Sequence, residues 1–212
     1  VAGSGLRAEL RATHASFTGP LHEIADAKST ELSFGVHDRA TWFDVAMRGN
    51  NQAGSAGLIL HSTTSAGIAW VKGKATATGF DFPFDLKAEG AGSYVNENWL
   101  DMQAIDAVEF CRLIVDGGID VAANRIKLTT QTISLARAKR ALEVQGAHNQ
   151  IELISWDWAT SRVDPASDGT QVLFTELSGG NVLTGWVARP LTDRQPVIID
   201  LAPPIRKNRI YA

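Results

Sequence analysis

Apolar and polar residues alternate with a period of two along much of the chain. In Glu31–His37, Leu32, Phe34 and Val36 share one face. In Phe80–Leu86, Phe80, Phe82, Phe84 and Leu86 share a face, with Asp81 and Asp85 opposite. Successive side chains of a strand point to opposite faces, so this pattern predicts half-buried β-strands. Further strands are expected at Thr41–Arg48, Ala56–Ser62, Gly67–Lys72, Glu109–Val115, Arg125–Leu128, Thr132–Leu135, Gln150–Ala159, Gln171–Glu176, Asn181–Ala188 and Pro196–Leu201. Pro83 cannot donate a ladder hydrogen bond, which predicts an edge strand or a bulge there. Apolar parity is even at Ile126 and Leu128 but odd at Ile133 and Leu135. That switch predicts a bulge or tight bend near Thr130.

Helix signals are few. Leu6–Ala15 carries Leu6 and Leu10 at i,i+4, and Ala136–Val144 has good helix formers cut short by Gly146. Trp99–Ala107 reads either way, since Trp99, Met102 and Ile105 are spaced by three but acidic residues interrupt them. No alternating strand–helix pattern and no internal repeat is evident. Turn signals recur every 8–12 residues or so, the spacing of a sandwich or barrel. The expected fold is therefore mainly β, an antiparallel sandwich or barrel-like architecture with few short helices and extended termini.

A chain of 212 residues suits one domain or two small ones. Residues 1–162 read as a β-rich domain. Residues 163–212 read as C-terminal strands and an extended arm packed on that same domain. Val163–Gly169 reads as a linker or long loop, and Ala202–Ala212, with Pro203-Pro204 near its start, as the arm.

Composition narrows the function classes. Hydrophobic residues make up 44% and charged residues 20%, as in globular proteins. A net charge of −3 argues against a surface built wholly for nucleic acid or for electrostatic membrane binding. No apolar run approaches the roughly 20 residues of a membrane helix, and no signal-peptide pattern is visible. The chain opens on Val1, as a processed product would. Cys111 is the single cysteine, so no intrachain disulfide forms. Its apolar surroundings suit a small buried hydrophobe.

Motifs of catalysis are missing. There is no phosphate loop, dinucleotide fingerprint or nucleophile elbow. His14, His22, His37, His61 and His148 form no pair at zinc-ligand spacing and read as surface or loop histidines. Asp81 and Asp85 would stand roughly 13 Å apart along a strand. That is too far for a retaining glycosidase pair. These two and Asp157 read as parts of solvated sheet faces. The loop from Asp164 to Thr170 has too few regularly placed oxygens for calcium. The expectation is a non-enzyme without cofactor or metal.

Two features suit binding. Trp156 and Trp158, at i,i+2 on a strand, form a flat aromatic strip. Exposed, it would stack on sugar rings or anchor a partner; beside Ile154 it would otherwise be core. Arg206, Lys207 and Arg209 give the terminal arm a basic character, suited to an acidic partner or nucleic acid, or simply to solvation.

The segment Gly118–Leu135 reads Gly-Ile-Asp-Val-Ala-Ala-Asn-Arg-Ile-Lys-Leu-Thr-Thr-Gln-Thr-Ile-Ser-Leu. It resembles strand-turn-strand segments of phage tail-fibre and tail-associated structural proteins, which implies a structural role in a virion. Thr41–Val71, with Trp42-Phe43-Asp44, a Gly-Asn-Asn loop and Ala56–Leu60, is similar to the mid-sheet of laminin-G and concanavalin-like sandwiches. The calcium ligands and glycosidase carboxylates of those families are not recognisable. The sequence thus favours a structural or assembly protein, a capsid or tail subunit located in the virion. It would work as a homo-oligomer or with other structural subunits, and without a membrane span. The alternative is an extracellular, carbohydrate-binding β-sandwich using Trp156 and Trp158.

Overall fold

The computed structural model describes residues 7–10, 16–18, 22–23, 31–34, 42–49, 51, 53–62, 67–133, 137–156, 167, 170–187 and 198–212. The strands are β1 (Arg7–Leu10), β2 (Ser16–Thr18), β3 (His22–Glu23), β4 (Glu31–Phe34), β5 (Trp42–Arg48), β6 (Ala56–Ser62) and β7 (Ile68–Ala69). They continue as β8 (Lys72–Thr78), β9 (Phe82–Glu89), β10 (Tyr94–Asn96), β11 (Trp99–Ile105), β12 (Glu109–Asp116), β13 (Asp120–Ala122) and β14 (Arg125–Gln131). The last are β15 (Arg140–Val144), β16 (Gln150–Trp156), β17 (Val172–Phe174), β18 (Val182–Val187), β19 (Ile198–Asp200) and β20 (Arg209–Tyr211).

Each pairing between these strands is parallel. Sheet A runs β1-β4-β6-β9-β12-β15-β17-β19, sheet B runs β2-β5-β8-β11-β14-β16-β18-β20, and β13-β10-β7 form a short sheet C. The chain visits A, then C where present, then B, and returns to A one strand further along. This is a parallel β-solenoid, and it overturns the expected antiparallel sandwich or barrel. Period-two alternation reports only that a strand has an inner and an outer face. It is silent on the direction of the neighbouring strand. Here the turn residues mark corners between faces rather than hairpins, so a strand meets its partner only after a full coil.

The inner faces form the core. Leu60, Leu86, Leu113, Val144 and Phe174 stack in register along sheet A, all buried. Leu100, Ile126, Ile151 and Leu183 do so along sheet B. Burying each such side chain contributes about 1.5–3 kcal/mol. Cys111 lies fully buried between Phe84 and Leu142, as a small hydrophobe.

The corner entering sheet B is a repeat that the sequence reading missed. Asn98, Asn124, Asn149 and Asn181 are fully buried and stack one above the other, with Asn208 next. They recur at intervals of 26, 25, 32 and 27 residues. Asn124 Nδ2 donates to Asn149 Oδ1 at 3.0 Å and to Val95 O at 2.9 Å. Its Oδ1 accepts from the backbone N and Nδ2 of Asn98. Glu97, Ala123 and His148, each just before an asparagine, have φ of 59°, 54° and 55°. Such backbone is costly for residues other than glycine, and the amide ladder holds it in place.

Other expectations change with the fold. Arg7–Leu10, Trp99–Ile105 and Arg140–Val144 are strands rather than helix. Pro83 lies in β9, in the interior of sheet A between β6 and β12, not at an edge. The matched ladder positions skip Pro83 on both sides. Gly57 faces it where a Cβ would come within 2.6 Å of Pro83 O. The parity switch after Leu128 is the corner that follows Gln131: Thr130 and Thr132 are both buried and Ile133 is exposed. Asp81 and Asp85 are buried, not solvated. Asp85 takes a two-pronged bond from Arg112 (2.8 and 2.6 Å), and Asp81 is bound by Arg137 at 2.6 Å. The terminal stretch ends in a paired strand. Arg209–Tyr211 pairs with Val182–Thr184 as a strand of sheet B.

Candidate ligand-binding face

Sheet B turns one set of alternating residues outward. On β8 these are Lys72 and Lys74, on β11 Trp99 and Asp101, on β14 Arg125 and Lys127, and on β16 Gln150 and Glu152. The parallel register aligns them into two rows across the strands. One row reads Lys72, Trp99, Arg125, Gln150, Val182, Arg209. The other reads Asp44, Lys74, Asp101, Lys127, Glu152, Thr184, Tyr211. Neighbouring positions in a row are one strand spacing apart, about 4.8 Å.

Trp99 is 48% exposed, and both neighbours in its row are cations. Lys72 Nζ stands 4.4 Å and Arg125 Cζ 4.9 Å from its ring centroid. Each contact stabilises by about 0.5–1 kcal/mol at an exposed site. An indole holds a cation without neutralising it, so both charges stay available. An open groove of about 640 Å³ runs over these rungs and reaches Val182 and Thr184.

No family model, curated protein or solved structure matches the chain. The geometry alone therefore carries the functional reading.

The residues singled out from sequence fare unevenly. Trp156 closes β16 in register with Gln131. Trp158, Asp157, His14 and His37 lie outside the described residues, as does all of Val163–Gly169 except Ser167. Ile154 does not mark a core face. The buried side of β16 is Ile151, Leu153 and Ser155, while Glu152 is exposed and Ile154 half-buried. Arg206, Lys207 and Arg209 are exposed. Arg209 falls in the row of Trp99, whereas Arg206 and Lys207 belong to the corner, where Arg206 O accepts from Gly180 N at 2.9 Å.

Lys72, Trp99 and Arg125 escaped the sequence reading. For Trp99 and Arg125 the signal was available: Trp99, Arg125, Gln150, Val182 and Arg209 each directly follow an asparagine of the ladder, whereas Lys72 follows Val71. Among the described residues, no three His, Cys, Asp or Glu side chains converge on a metal site. No helix among them is long and apolar enough to cross a membrane.

Proposed function

We propose that this protein binds a carbohydrate chain along the outer face of sheet B. The observation that carries the reading is the exposed Trp99 with Lys72 and Arg125 on the floor of an open groove. An indole offers a flat apolar surface to the C–H face of a pyranose. Asp101, Gln150, Glu152 and Thr184 line the same groove and supply acceptors for sugar hydroxyls. Their alignment across successive strands favours an extended chain lying along the solenoid axis. Extended termini were one support for the assembly reading drawn from sequence, and the pairing of Arg209–Tyr211 with Val182–Thr184 weakens that one support.

A glycan array followed by calorimetry on Trp99→Ala tests this. The variant is expected to lose about tenfold or more in affinity, the scale of one stacked ring, while staying folded with a melting temperature lowered by only a few degrees. An array without a retained glycan, or unchanged binding by Trp99→Ala, would remove the reading.

A further inference from the structure

The groove also carries a pattern of charge, and this inference rests on the glycan reading above. Its cations come in pairs on alternate rungs: Lys72 and Lys74 on β8, Arg125 and Lys127 on β14. The rung between them, β11, carries Trp99 and Asp101, and the rung beyond, β16, carries Gln150 and Glu152. Among the described residues, none of the four cations has a carboxylate within ion-pair distance. Four positive charges against the two carboxylates Asp101 and Glu152 make the groove lining net positive on a chain of net charge −3.

We infer that the ligand is an acidic polysaccharide in which charged sugars alternate with neutral ones. The two cationic rungs lie two strand spacings apart, about 9.5 Å, comparable with the length of a disaccharide. A carboxylate or sulfate at every second sugar meets Lys72–Lys74 and then Arg125–Lys127. The neutral sugar between them rests on Trp99 and donates a hydroxyl to Asp101. Charge-assisted bonds to Arg and Lys are the strong ones in such a site. A nucleic acid fits less well, because its continuous phosphates would meet Asp101 and Glu152 as like charges.

The test titrates the intact chain with hyaluronan oligosaccharides, in which uronate and neutral sugar alternate. The comparison probes are the same oligosaccharides carboxyl-reduced, polygalacturonate, a sulfated alternating galactan and a thymidine oligonucleotide. Hyaluronan is expected to bind about tenfold more tightly than its reduced form, the worth of one charge-assisted contact, and to weaken with salt. Lys72→Gln and Arg125→Gln should each remove most of that advantage, so that each variant binds native and reduced hyaluronan about equally. The sulfated galactan binding more tightly than hyaluronan would identify the anion as sulfate and still support the inference. Equal binding of reduced and native hyaluronan would overturn the charge assignment while leaving the glycan reading standing. Tighter binding of polygalacturonate would overturn the alternation. Failure of all glycans, or preference for the oligonucleotide, would overturn both readings.

Discussion

The backbone N–H of Val71 donates to Asn98 Oδ1 at 3.0 Å, so an aliphatic residue occupies the rung before the buried asparagine ladder. At Asn124, Asn149 and Asn181 the side-chain oxygen receives two donors from the preceding rung, and the amide nitrogen passes its hydrogens to the next rung and to a nearby carbonyl. Asn124→Ala would strip partners from Asn98 N, Asn98 Nδ2, Val95 O and Asn149 Oδ1. Unmet buried groups cost about 1–3 kcal/mol each, so the expected loss in urea unfolding is at least about 3 kcal/mol. Asn124→Asp should be worse at neutral pH, because its carboxylate would face two acceptors, and should recover partly in acid. A loss below about 1 kcal/mol for the alanine variant would show that the ladder does not hold the corner.

Arg137 ties together three groups at the opposite corner. Its Nη1 donates to Asp81 Oδ1 at 2.6 Å, and its Nη2 to Phe80 O at 3.1 Å and Asp106 O at 2.7 Å. Burial pulls the guanidinium below its ordinary pKa, against the pull of Asp81 and Asp106. Arg137→Met would leave the Asp81 carboxylate buried without its cation, a change that costs about 3–5 kcal/mol. The double variant with Asp81→Asn should be more stable than Arg137→Met alone. Chemical denaturation of the three variants measures this, and additive losses would refute the coupling.

Cys111 is fully buried, and desolvation, with Asp85 nearby, pushes its thiol well above the usual range. Thiolate is the reactive form. A disulfide reagent at mildly alkaline pH should therefore leave the folded protein unmodified and label it completely in denaturant. Rapid labelling of the native protein would contradict this packing.

On the outer face of sheet A, Glu89 accepts hydrogen bonds from Lys87 and from His61 Nε2 (2.6 Å), which hold its carboxyl below the ordinary 4.5. Burial pulls the Lys87 ammonium down, but its bonds to Glu89 and Asp116 outweigh this and leave it above 10.5. A depressed carboxylate stabilises the fold above its unfolded value, and that contribution is lost as pH falls through the folded value. A raised ammonium stabilises below its unfolded value and loses that contribution as pH rises through the folded value. Melting temperature should thus decline at both extremes. Glu89→Gln should flatten the acid decline below about pH 4.5, and parallel acid limbs for the two proteins would disprove the assignment.

Strand positions were legible in the sequence because alternation of inner and outer residues is a local property. Ala56–Ser62 and Glu109–Val115 lie where the pattern put them, give or take a terminal residue. Partner direction is not local, and nothing in Leu60 or Leu86 says that they stack in parallel. Ala136–Val144 drew a helical reading from intrinsic propensity, but Ala141, Leu142 and Val144 are buried in the core as parts of a strand. Trp99 was obscured for a related reason. Its spacing of three to Met102 and Ile105 looked helical, whereas Leu100, Met102 and Ala104 face inward and Trp99 outward. The asparagines of the ladder drew no reading of their own, and only their recurrence before an outward residue and an inward apolar one reveals the coil.

The two corners of a coil follow different rules of length. Passing from sheet B to sheet A takes the chain from Ile105 to Glu109 in one coil, from Gln131 to Arg140 in the next and from Trp156 to Val172 in the third. Across these same coils the amide stack keeps its contacts, with Asn98–Asn124, Asn124–Asn149 and Asn149–Asn181 bonded at 2.9, 3.0 and 3.0 Å. The amide corner acts as a ruler, and the other corner admits connections of different length. Sequence inserted between Trp156 and Val172 should leave the graduation of the sheet B face untouched. A duplicated coil, entered at an asparagine, would lengthen that face by one further division of about 4.8 Å.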